Sequence, residues 1–148
     1  MPDEQSSVLF HCVPRGILRR PLRAFALRLQ DEVSGGRPFC CLISGDAELR
    51  RLNRKFRRKD TATDVLSFPT GAAGRFLGEV AISFEHARQQ AAERKHGLED
   101  EIRILMLHGV LHLMGMDHEA DNGRMARAER RWRRTLQLPE SLIERAEA

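Results

Sequence analysis

The sequence predicts a mixed α/β domain of the α+β class, with a single sheet of about four strands packed against helices and one helix, the most apolar, at its centre. Three observations predict it. Four short apolar runs are bounded by Gly, Pro or polar turn residues, the mark of strands. Five longer stretches repeat apolar residues at three- and four-residue spacing, the mark of helices with one buried face. Their order is β-α-β-α-β-β-α-α-α, which suits one sheet covered by helices.

Val8 to Val13 is the first strand, stopped by Pro14 and Gly16. Leu22, Phe25, Ala26, Leu29 and Val33 then follow helical spacing, with Pro21 near the start and Gly35 and Gly36 beyond the end. Phe39 to Ile43 is the second strand. Ser44, Gly45 and Asp46 open a helix, with a side-chain oxygen to cap it and Glu48 in its first turn. Leu49, Leu52 and Phe56 form that helix's narrow inward stripe. Val65 to Phe68, stopped by Pro69, is the third strand; residues 71–74 form a small-residue loop, and Leu77 to Phe84 the fourth strand. Residues 85–95 read as a helix rich in Ala and Gln, ending near Gly97. Glu99 to about Met114 is the central helix, with acids at its start and Ile102, Leu105, Met106 and Val110 within it. A last helix begins after Asn122 and ends before Pro139, with Met125, Ala128, Trp132 and Leu136 inward. The chain has no internal repeat, linker or low-complexity tract, so residues 1–148 read as one domain.

The central helix carries the most informative feature. His108 and His112 are four apart, so both lie on one helical face, one turn above the other. Gly115 can adopt a left-handed conformation and end the helix, giving His118 a route back to the same point. Three imidazoles leave a tetrahedral zinc one open position, the arrangement of catalytic rather than structural sites. Two histidines at this spacing arise by chance fairly often in a chain with six; a third beyond a glycine is much rarer. The spacing is that of the metzincin metalloproteases, whose glutamate after the first histidine serves as general base. Here that position is Gly109, so the metal half of the motif is present and the proteolytic half is missing. A Glu at 109 would be expected to stand near the metal.

Charge points to a polyanion. The net charge is +4 and the excess is nearly all arginine, whose planar fork suits phosphate. Residues 50–59 hold seven cations in ten positions, and like charges so close on a helix repel unless an anion relieves them. A solvated helix face is the plainer reading of such a run. A second arginine series, from Arg124 to Arg134, is interrupted by Glu129 and flanked by acids, so ion pairs explain much of it. The only aromatic residues are Phe and a single Trp, so no ladder of base-stacking rings is expected. Asp64 and Asp117 each have two readings, capping a turn or orienting a ligand histidine; capping is the default. His11, His86 and His96 lack ligand spacing. Cys12, Cys40 and Cys41 form no C-x-x-C pair and sit in or beside apolar runs, as buried thiols in a reducing compartment would. No stretch approaches the roughly 18 apolar residues of a membrane span, so a cytoplasmic protein with no membrane partner is expected.

The chain resembles the YbeY family of metal-dependent endoribonucleases, or rRNA maturation factors. The blocks that carry the resemblance are Leu52, Asn53, Phe56, Arg57, Lys59 and Asp60; Thr63-Asp64-Val65-Leu66-Ser67-Phe68-Pro69; Leu77-Gly78-Glu79; and the histidine motif followed by Met125 and Glu129. The resemblance covers most of the chain from Ile43 onward. It implies a single-strand-specific, zinc-dependent endoribonuclease acting in ribosome biogenesis and ribosome quality control, chiefly at the 3′ end of small-subunit (16S) rRNA. It implies one Zn2+ held by His108, His112 and His118, with Arg57 and His108 as catalytic residues. The implied partners are single-stranded RNA, pre-16S rRNA in the small ribosomal subunit, ribosomal proteins and an assembly GTPase. One departure stands out: Glu79 occupies a position where the family usually has Asp. Two rival readings remain open, a metzincin-like metalloprotease and a non-catalytic RNA-binding assembly factor.

Overall fold

The computed structural model describes residues 5–71, 74–117 and 121–139. Along them run β1 (Ser7–Phe10), α1 (Arg19–Glu32), β2 (Cys40–Ser44), α2 (Asp46–Arg57), β3 (Val65–Pro69), β4 (Gly78–Ser83), α3 (Phe84–Arg94), α4 (Leu98–Leu113) and α5 (Arg124–Thr135). The expected class and element order are those observed. The strands form one sheet in the order β1-β2-β4-β3. β1, β2 and β4 are parallel, while β3 runs antiparallel to β4 and forms one edge. Among the described residues no helix is long and apolar enough to cross a membrane.

Side chains alternate across a strand, so the sheet has two distinct faces. Val80 and Ile82 of β4 join Cys41 and Ile43 of β2 in the main core, with α1 and α4 packed over them. Ala81 and Leu66, register partners on the other face, form a smaller cluster with Leu49 of α2. α4 is buried at 11 of its 16 residues. A helix apolar on all sides belongs in the middle of a core. It approaches the sheet at Gly109, where an added Cβ would lie 2.6 Å from Cγ1 of Val80 and 3.3 Å from Oγ of Ser67. Gly109 is therefore a packing requirement, and its missing side chain would point into the sheet. That overturns the expectation that a Glu at 109 would stand beside the metal.

Four local expectations need correction. β1 ends at Phe10 rather than Val13, because Cys12 adopts a positive φ of 55° that breaks the extended run. Cys12 is also exposed, whereas Cys41 is buried and burial pushes its thiol up from the ordinary range. No side chain of the α2 opening caps that helix: Gly45 is the cap residue, and the Asp46 carboxylate instead accepts from Ser83 Oγ and His86 Nδ1. The Asp46 N–H is satisfied from α3, by Glu85 Oε1 at 2.7 Å. Finally, Phe56 does not face inward. It is 57% exposed and touches Phe68 edge-on, with ring centroids 5.3 Å apart. The loop expected at 71–74 includes residues 72 and 73, which lie outside the described residues.

Candidate metal centre

α4 places the His108 and His112 rings one turn apart, at the end where the helix stops. The stop is a Schellman turn: Gly115 takes φ 92°, its N–H donates to the His112 carbonyl, and Met116 N–H donates to the Leu111 carbonyl. This turn also brings the Met116 carbonyl back to the His112 ring, where it lies 2.9 Å from Nδ1. A carbonyl can only accept, so Nδ1 carries the proton and Nε2 presents its lone pair. The His108 ring is held in the same sense by α5, where Glu129 Oε2 accepts from Nδ1. Glu129 is fully buried on the inward face of α5, beside Met125 and Leu136.

The two Nε2 atoms face each other at 3.1 Å. Two lone pairs at that distance repel, and a cation between them removes the repulsion. The spacing is also that of two nitrogens each about 2.0–2.1 Å from one ion, with roughly 100° between the bonds. Both rings thus fit a metal, each with its second nitrogen anchored as ligand histidines usually are. Among the described residues no group of three or more potential ligands is present. The expected third ligand, His118, lies outside the described residues. The chain on either side of it is tied by Asp121, whose Oδ2 accepts from Asp117 N–H at 3.2 Å and Met125 N–H at 3.1 Å.

A cleft of about 530 Å³ opens on the two rings and is lined by Arg57, Lys59, Ser67, His108, His112 and Asp117, among others. Arg57 ends α2 on the far face of the sheet and reaches over the β3 edge, donating from Nη2 to the Ser67 carbonyl at 2.7 Å. Ser67 also donates from Oγ to the Gly109 carbonyl at 3.1 Å, beside His108. The structure therefore brings Arg57 and the two histidines together. The rest of the basic run is less bare than its density of one sign implies. Arg50 binds Asp60 at 2.8 and 3.0 Å, and Arg51 binds Glu48 at 2.6 and 3.0 Å. These guanidinium bonds hold both carboxyls below their ordinary range.

The match to the model of Endoribonuclease YbeY extends over residues 24–137. The chain belongs to the YbeY family. It is 60% identical over 145 residues to the Endoribonuclease YbeY of Solibacter usitatus, covering 98% of this chain and 97% of that one. It is 48% identical over 143 residues to the Endoribonuclease YbeY of Koribacter versatilis, covering 97% and 84%. The solution structure of a Thermotoga maritima protein shares the fold, with a TM-score of 0.56 and 23% identity over 84% of this chain and 85% of that one.

In this YbeY-family chain the carboxylate on His108 is neither Asp64 nor Asp117, for both of which turn capping is the default expectation. Asp64 accepts from Val65 N–H, Thr63 Oγ1 and Gln90 Nε2, which makes it a turn and packing residue. Glu129 is part of the family resemblance, but its role was hidden among six arginines. The signal that could have found it is its place, four after Met125 and three before Trp132, on the inward stripe of α5. Glu79 lies on the sheet face away from the histidines, opposite Phe68 in register.

Proposed function

We propose that this chain is a zinc-dependent endoribonuclease specific for single-stranded RNA. The observation that carries the reading is the pair of Nε2 lone pairs meeting at 3.1 Å in a cleft that also holds Arg57. Bound by His108, His112 and the His118 expected to complete the set, zinc would supply Lewis acidity and lower the pKa of a coordinated water to about 7. Every other part falls to the chain. Glu129 and the Met116 carbonyl fix both ring tautomers. Arg57 has five N–H donors, one of them spent on Ser67, and the remaining fork is suited to a phosphate and to the charge that builds on it during cleavage. Lys59 adds a second cation on the same rim. A protease reading loses its base twice, since Gly109 has no side chain and no room for one.

Family resemblance supports the finer assignment, to the 3′ end of 16S rRNA in the small subunit and to ribosomal partners there. The test is cleavage of single-stranded and duplex RNA by the purified protein, with and without chelator, beside zinc analysis of His112→Ala. Chelator-sensitive cleavage of single strands, and loss of both zinc and cleavage in the variant, are expected. Stoichiometric zinc retained by His112→Ala would overturn the ligand assignment. Small subunits carrying an extended 3′ end, left unprocessed by the active enzyme, would overturn the rRNA assignment. The product ends report whether water or the RNA 2′-hydroxyl attacks.

A further inference from the structure

Behind the β3 edge, on the sheet face opposite the histidines, lies a second groove of about 600 Å³. Its floor is apolar, with Leu42, Leu52 and Ala81 among its residues, and Phe56 and Phe68 stand at the end nearest Arg57. Arg57, Ser67 and Pro69 line this groove and the metal cleft alike, so the two are continuous over one strand edge. Phe56 leaves more than half its surface in water, so an aromatic face is open to a ligand at this end of the groove. Cations surround the ring pair: Lys55 Nζ lies 5.2 Å from the Phe56 centroid and the Arg57 guanidinium 5.9 Å from that of Phe68.

We infer that Phe56, backed by Phe68, is a stacking platform for one unpaired base of the RNA, next to the phosphate held by Arg57. This rests on the nuclease reading and extends it to a base subsite. Charge separates the parts of the nucleotide. The cations at the β3 edge attract phosphate, while Glu79, one strand farther in, repels it, so the backbone stays on the edge and only the base turns in. An aromatic face accepts any base, which gives a preference for unpaired RNA without a preference for sequence. A base inside a duplex is already stacked on both sides and cannot reach the ring. The site supplies a physical reason for single-strand specificity that the metal and Arg57 do not.

The experiment scans 2-aminopurine through a short single-stranded RNA and reads its fluorescence and the binding anisotropy with the zinc-loaded full-length protein. One position should change emission on binding to the wild type and not to Phe56→Ala. Phe56→Ala should weaken binding about tenfold, as loss of one stacked base does, and Phe56→Trp should restore it. A strand abasic at that position should bind the wild type and Phe56→Ala equally. A loss in Phe56→Ala that is the same for intact and abasic strands would overturn the subsite and show that Phe56 acts only by supporting Lys55 and Arg57. A wild type that binds and cleaves single strands, with Phe56→Ala indistinguishable from it, would overturn the subsite alone. A wild type that binds no single-stranded RNA would remove the nuclease reading as well.

Discussion

Replacing Glu129 with Gln removes the charge opposite His108 Nδ1 while keeping nearly the same side-chain volume. Charge-assisted hydrogen bonds are roughly twice as strong as neutral ones, and losing the outer partner of a ligand histidine weakens metal binding about 10- to 100-fold, or about 1.4–2.7 kcal/mol. Glu129 is 0% exposed, so water cannot take over its role, and the upper half of that range is expected. The amide can still present an oxygen to Nδ1, provided it takes the correct flip, so the ring should keep its place. Competition with a fluorescent zinc chelator measures the affinity directly. Melting with and without zinc gives a second reading, because stabilisation by a ligand falls about 1.4 kcal/mol for each tenfold rise in Kd once zinc is well above Kd. The metal-free protein should lose less than the zinc-bound one, since the packing around Met125 and Leu136 is unchanged. Zinc affinity equal to wild type in Glu129→Gln would refute the reasoning and show that core packing alone holds the His108 ring.

Arg57→Ala should lower kcat for RNA cleavage by about 10²- to 10³-fold, the effect of removing one transition-state donor, with a smaller change in KM; single-turnover rates at saturating RNA check this. Gly109→Ala should destabilise the protein by about 1 kcal/mol or more in urea unfolding, because overpacking against Val80 outweighs the helix-propensity gain of about 1 kcal/mol. Gly109→Glu should fail to fold rather than repel RNA, which circular dichroism distinguishes. Arg54→Ala should weaken RNA binding and flatten the salt dependence by about 0.7 in log–log slope, with turnover kept.

Periodicity made most of the fold legible. The stripe from Leu22 to Val33, the apolar run through α4 and the short bounded strands depend on local spacing, and local spacing is what sequence displays. The errors fall where a distant element decides. Asp46 could cap its own helix in isolation, but Ser83 and His86 claim its carboxylate from β4 and α3. Phe56 continues a true apolar stripe, yet it meets the edge strand, where Phe68 covers only part of it. Gly109 was read as an absence of chemistry because a sequence does not reveal how near a helix lies to a strand. Of the site, His108 and His112 were legible from their spacing, together with the turn at Gly115, and Arg57 was distinguished from the other cations only by the family resemblance. The role of Glu129 on His108 was not legible, because its burial depends on how α5 docks.

Ser67 faces two ways at once, its carbonyl to Arg57 and its hydroxyl to Gly109. It therefore acts as a gauge block between an arm from one side of the sheet and a metal helix on the other. A slip of one residue between β3 and β4 would turn Ser67 over and put Leu66 or Phe68 in its place. Both halves of the site would lose alignment together, however intact each remained. The hairpin's register is thus a kinetic parameter as well as a structural one. Substitutions that shift this register should be felt in turnover before they are felt in stability.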